Sequence, residues 1–228
     1  MSLTMSTAAS TSRRAARSML LTGAAMLLAV SVPVDAATRT PYGSNIVKNP
    51  SAEAGAASPD GTTTVDVPGW EFPIQATVVA YGTAGFPSVG EGNSYGGGDQ
   101  FFYSGPDNGG SCDGLIQDIR IKGRAAAIDG GHVRAKIRAR IGTDSSDDAA
   151  RVMVSYFDGN NHQVTTPNSA PTVLGPVTST DRQMLLRKKS KTLPRKTRIL
   201  RLRLLTTSSA DDCAGYFDKV AIVLTYVP

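Results

Sequence analysis

Glutamate is scarce. The chain has 228 residues and 19 acidic side chains, of which only Glu53, Glu71 and Glu91 are glutamates. Histidine and cysteine are scarcer still, with two each, and tryptophan occurs once. His132 and His162 stand alone, which excludes an H-E-x-x-H metalloprotease pattern. No Walker loop or dinucleotide fingerprint is present. "GGSCDG" fails the G-x-S-x-G nucleophile elbow, because Asp113 stands where glycine is needed. A glycosidase carboxylate pair leaves no spacing signature in sequence, and glutamate supplies only three candidates for one. Nucleotide chemistry and zinc or serine hydrolysis thus lose their usual signatures.

Long apolar runs are also missing, apart from one near the start. Arg13, Arg14 and Arg17 precede "MLLTGAAMLLAV", which is short for a membrane span. "VDA" at residues 34–36 then offers small residues for cleavage. The expected organisation is a signal peptide over 1–36, a short linker over 37–43, and one domain over 44–228. Cleavage removes three arginines and Asp35, lowering the formal charge from +5 to about +3. No apolar run in the mature chain is long enough to span a membrane. The expected location is outside the cell or on its surface. Export permits a disulfide between Cys112 and Cys213.

Helical periodicity is nearly absent beyond the leader, and strand signals replace it. "TTTVDV", "ATVVAY", "GLIQDIRI", "HVRAKIRARIG", "RVMVSYF", "RQMLLRKKS", "TRILRLRLL" and "YFDKVAIVLTYV" are short and bounded by turn residues. "SYFDGNNHQV" reads as a hairpin with Asp158-Gly159 in its turn. This spacing predicts an all-β, two-sheet antiparallel sandwich. Residues 82–111 carry ten glycines and little alternation, so they read as a long loop region at one end. Tyr95, Phe102 and Tyr103, in or beside it, are candidate ligand-binding aromatics. Trp70 reads as a core residue after a turn, the alternative being a sugar-stacking platform. The acidic "DSSDD" reads as a solvated turn, with a calcium loop as the alternative.

The charge pattern is distinctive in one segment. Arg134, Lys136, Arg138 and Arg140 alternate with apolar residues, and period two places all four on one face. Arg201 and Arg203 share a face of a later strand. "RKKSKTLPRK" adds positive charge nearby. Such a face suits an anionic polymer. Few aromatics interleave with the cations, which weighs against single-stranded nucleic acid.

"NIVKNPSAEAG" near the mature start and "GYFDKVAIVL" as the last strand resemble the galactose-binding-domain-like jelly roll of many carbohydrate-binding modules. "PDGTTTVDVPGW", "AAIDGG" and "SYFDGN" extend the similarity over most of residues 44–227. The resemblance implies a jelly-roll sandwich that binds carbohydrate, with a strand order that joins Arg201 and Arg203 to the basic row of Arg134, Lys136, Arg138 and Arg140. It also implies a structural calcium where the first and last strands approach, with Glu53 and Asp218 as ligands; calcium takes six to eight oxygens. The function expected is a secreted, non-catalytic binding module for carbohydrate or an anionic cell-surface polymer. The alternatives are an adhesive surface protein that binds another protein, and a small secreted polysaccharide hydrolase.

Overall fold

The computed structural model describes residues 39–71, 76–105, 113–209 and 213–228. The leader and Cys112 lie outside the described residues, so the expected cleavage and disulfide are not addressed by it. Among the described residues nine strands form: β1 (Thr77–Ala80), β2 (Gln100–Tyr103), β3 (Asp113–Arg120), β4 (Val133–Thr143), β5 (Asp148–Phe157), β6 (Thr172–Val177), β7 (Leu185–Thr192), β8 (Ile199–Ser208) and β9 (Gly215–Tyr226). Two short helices, α1 (Val89–Ser94) and α2 (Ala125–Asp129), sit in connections. A five-stranded sheet runs β1-β2-β9-β4-β7 and a four-stranded sheet runs β3-β8-β5-β6. Every strand pair is antiparallel.

The alternation that predicts β4 also builds the core. Val133, Ala135, Ile137, Ala139 and Ile141 are buried while the residues between them face outward. Their cross-strand neighbours Phe217, Ile222 and Leu224 on β9 point inward with them. Val152, Val154, Leu200, Leu202 and Leu204 answer from the four-stranded sheet. The result is an antiparallel β-sandwich with one main apolar layer. Trp70 belongs to that layer, 5.1 Å from Phe102 between ring centroids, and its Nε1 donates to the Asn49 carbonyl at 3.2 Å.

The chain start is tied to the last strand by one side chain. Asn45 Oδ1 accepts from Ile222 N at 3.0 Å and its Nδ2 donates to Val220 O at 3.1 Å. The expected linker is already part of the sandwich from Thr40, whose amide bonds Lys122 O, and Gly43 N reaches Leu224 O. "TTTVDV" forms no strand, because Asp60 Oδ1 captures the amides of Thr62 and Thr63 and curls the backbone into a turn. The expected hairpin is reduced to one bridge, Phe157 to Gln163, around a turn in which Asp158 Oδ1 accepts from Asn160 and His162 amides. The "DSSDD" segment is not fully solvated: Asp148 is buried at the start of β5 and accepts from Ala214 N at 3.3 Å.

Candidate functional site

The outer face of the five-stranded sheet has an open half and a covered half. In the open half, Arg134, Lys136 and Arg138 project from β4. Register places Thr225, Val223 and Ala221 of β9 beside them on one flank, and Thr192, Ser190 and Lys188 of β7 on the other. None of these neighbours is acidic. A shallow cavity of ≈ 530 Å³ opens there, lined by Lys136, Arg138, Lys188, Lys189, Ser190, Ile137 and Val223. Its walls are largely aliphatic stems that carry cationic heads. The ion pairs among the described residues lie elsewhere: Arg198 with Asp129, Arg201 with Asp118, and His162 with Asp158. So Lys136, Arg138 and Lys188 have no carboxylate partner among the described residues.

Arg140 closes this row differently from the expectation. Its guanidinium lies 4.4 Å from the centroid of the Tyr95 ring, and its Nη1 donates to Met184 O at 3.1 Å. It is a seam residue between the two halves, with its charge already engaged. The expected addition of Arg201 and Arg203 is overturned. Both belong to β8 in the four-stranded sheet and face outward on the opposite side of the molecule. Arg201 also holds Asp118 through two hydrogen bonds of 2.8 and 2.7 Å.

In the covered half, Tyr81, Phe101, Tyr103 and Tyr216 form a second apolar cluster, joined by Phe86 and Tyr95. Phe86 meets Tyr103 edge-on at 5.0 Å, and Phe101 meets Tyr216 edge-on at 5.6 Å. The segment 82–99, with α1, supplies Phe86 and Tyr95 to this cluster. Glu91 Oε1 accepts from Met184 N at 2.9 Å and links that segment to the start of β7. The described part of the glycine-rich region, residues 82–105, therefore holds a helix and a sheet strand, and residues 82–99 form a cover. Among the three aromatic candidates, Phe102 is fully buried in the main core, because β2 alternates and Phe102 falls on the inner face. Tyr103 is buried under the cover, and Tyr95 is half-buried. None is an exposed stacking platform.

Below the cover, Asp218 is fully buried. Its Oδ2 accepts from the Tyr81 hydroxyl at 2.8 Å and its Oδ1 from Lys219 N at 2.5 Å. The Tyr81 and Tyr95 hydroxyls are 2.6 Å apart. Burial pushes the Asp218 carboxyl up to about 7, against the lowering effect of Tyr81, the Lys219 amide and Ser51. Burial likewise drives the Tyr81 phenol far above its ordinary range, with the Asp218 charge adding to it.

Glu53 reaches the same covering segment from the other side of the sequence. Its Oε1 accepts from the amides of Asp99 and Gln100, both at 3.0 Å. A side chain at Gly98 would run into Glu53, and one at Gly97 would run into Asp218, so the two carboxylates grip adjacent glycines. The structure thus brings the two expected ligands to neighbouring positions of one segment, and each carboxylate already has protein donors there. Three carbonyl oxygens of the first turn each accept a hydrogen bond within the protein: Asn49 O from Trp70, Pro50 O from Val220 N, Ala54 O from the Asn49 side chain. A cationic group is also already at the segment, because Lys219 Nζ donates to Gly96 O at 2.5 Å. Among the described residues no group of three histidine, cysteine or acidic side chains is placed to hold a metal.

Lys188 and the Tyr81–Asp218 pair escaped the sequence reading. Lys188 lies in a run read only as positive charge, and its face follows from the register of β7 on β4. Tyr81 and Asp218 are 137 positions apart, and no local signal joins them.

No protein-family model matches the chain, and no curated protein is similar to it. Solved structures resemble its fold. The cyclase Fisc from Fischerella sp. TAU, described as a Stig cyclase in complex with an indole compound, superposes with TM-score 0.52 at 13% identity, over 81% of this chain and 98% of that one. The family 22 carbohydrate-binding module of Clostridium thermocellum Xyn10B gives TM-score 0.38 at 14% identity, over 75% and 97%. TmCBM61, solved with β-1,4-galactotriose, gives 0.42 at 11% identity, over 80% and 99%. At these identities the likeness is one of fold, and the cyclase match supports the β-sandwich.

Proposed function

We propose that the chain is an exported, non-catalytic module that binds an anionic polysaccharide or related anionic cell-surface polymer in the groove between β4 and β7. One observation carries this reading: Lys136, Arg138 and Lys188 meet at a cavity with no acidic lining residue and no carboxylate partner among the described residues. Successive outward residues on a strand lie about 6.8 Å apart, so a chain laid along β4 meets a cation at each step. The aliphatic stems and Val223 give sugar rings an apolar floor, and the cationic heads select for negative substituents. Export rests on the leader-like first 36 residues, and with it the Cys112–Cys213 bond. Membership of the galactose-binding-domain-like group rests on the quoted motifs and the sandwich.

Retention on immobilised heparin, an acidic cell-wall polymer and a neutral xylan tests the reading. Binding to the first two that weakens steeply with salt, and none to xylan, is expected. Salt-insensitive binding to xylan would replace the anionic reading with a neutral one.

A further inference from the structure

We propose that Lys219 acts as a built-in cation that holds the covering segment to the end of the sandwich, so that this clamp works without a bound metal. Three independent observations converge on it.

The first is what Lys219 touches. Its Nζ donates to the Gly96 carbonyl at 2.5 Å, inside the segment that Glu53 holds by the amides of Asp99 and Gln100. The clamp is thus complete in charge and in hydrogen bonds: a carboxylate takes the amides, and an ammonium takes a carbonyl a few residues earlier.

The second is the backbone under the lysine. Lys219 has φ of +50°, in the left-handed region where glycine, asparagine and aspartate are favoured. A lysine there is under strain that an asparagine would relieve. Its ammonium contact offsets that strain, which a solvated side chain would not do.

The third is the shape of the first turn. Asn49 closes it with its own side chain, accepting from Ala54 N at 3.0 Å and donating to Ala54 O at 3.2 Å. Pro50 O receives Val220 N at 2.8 Å, directly after the lysine in sequence. The turn that presents Glu53 is therefore set by protein contacts, and no ion is needed to bend it.

Calcium titration followed by calorimetry and by thermal melting, on the intact chain, tests the proposal. The wild type should give no binding heat, and its melting temperature should be the same in calcium and in EDTA. Lys219→Met should melt several degrees lower in both. Lys219→Arg keeps a cation at the same position and should stay near the wild type in both solutions. Calcium binding by the wild type would overturn the proposal. So would wild-type stability in Lys219→Met, or a Lys219→Arg variant as unstable as Lys219→Met.

Discussion

The Tyr81 hydroxyl donates to the Asp218 carboxylate at 2.8 Å across 137 positions of sequence, beneath the cover formed by residues 82–99. This bond joins β9 to the residue that follows β1, and it gives a buried acid one of its few partners. A buried carboxylate is tolerated only with such donors.

The first prediction concerns the pH response of that acid. The folded-state value of Asp218 is raised to about 7 from 3.8. The folded state therefore binds a proton that the unfolded state releases above about 4. Its contribution to stability is present in full at pH below 3.8 and is lost as pH rises toward 7. The exposed acids Asp60 and Asp181 are shifted the other way, by backbone and side-chain donors, and favour the fold at higher pH. Denaturant melts of wild type and Asp218→Asn between pH 4 and 8 separate the two. The difference should move in favour of the variant up to about pH 7 and then stay level. A difference independent of pH would show that Asp218 is not buried as described.

A second prediction tests the donor. Tyr81→Phe removes the hydroxyl and leaves a buried carboxylate short of one bond, which costs about 1–3 kcal/mol. It should also move the Asp218 transition to higher pH. Loss of stability with no change in that transition would assign the cost to packing alone.

Much of the fold is legible in the sequence, and the reasons are local. β4 reads clearly because strict alternation over nine residues has no helical counterpart, and β8 carries a shorter stretch of the same pattern. β2 is hidden because four residues, Gln100–Tyr103, carry too little pattern. β6 was missed because Gly175 and Pro176 interrupt it. The candidate site was legible by half. Period two gives the face of Arg134, Lys136 and Arg138 from β4 alone. Which sheet holds β8 is a matter of long-range pairing, and analogy placed Arg201 and Arg203 on the wrong side. Phe102 shows the same limit: its alternation is visible only once β2 is known to be a strand.

The third prediction concerns Phe102, now a core residue. Phe102→Ala opens a void against Trp70 and should cost about 3–5 kcal/mol. Ligand retention by the fraction that stays folded should be unchanged. A selective loss of binding without loss of stability would restore Phe102 as a contact residue.

The last prediction separates the two basic faces. Lys136→Glu with Arg138→Glu reverses two charges in the groove, and Lys188 on β7 is then left facing two carboxylates. Arg203→Glu reverses one charge on the opposite sheet. If the groove binds an anionic polymer, the double variant should lose most of its heparin retention at low salt, while the Arg203 variant, which lowers net charge but leaves the groove intact, should lose little. The melting curve of the double variant should stay near wild type, because exposed charges on a sheet face contribute little to stability. The contrast matters because a chain of positive net charge is attracted to any polyanion to some degree. Equal losses in the two variants, each in proportion to its charge change, would reduce the interaction to net charge and remove the groove from the account. Unequal losses, with the double variant also showing a shallower dependence of retention on salt, would place the contact at Lys136 and Arg138.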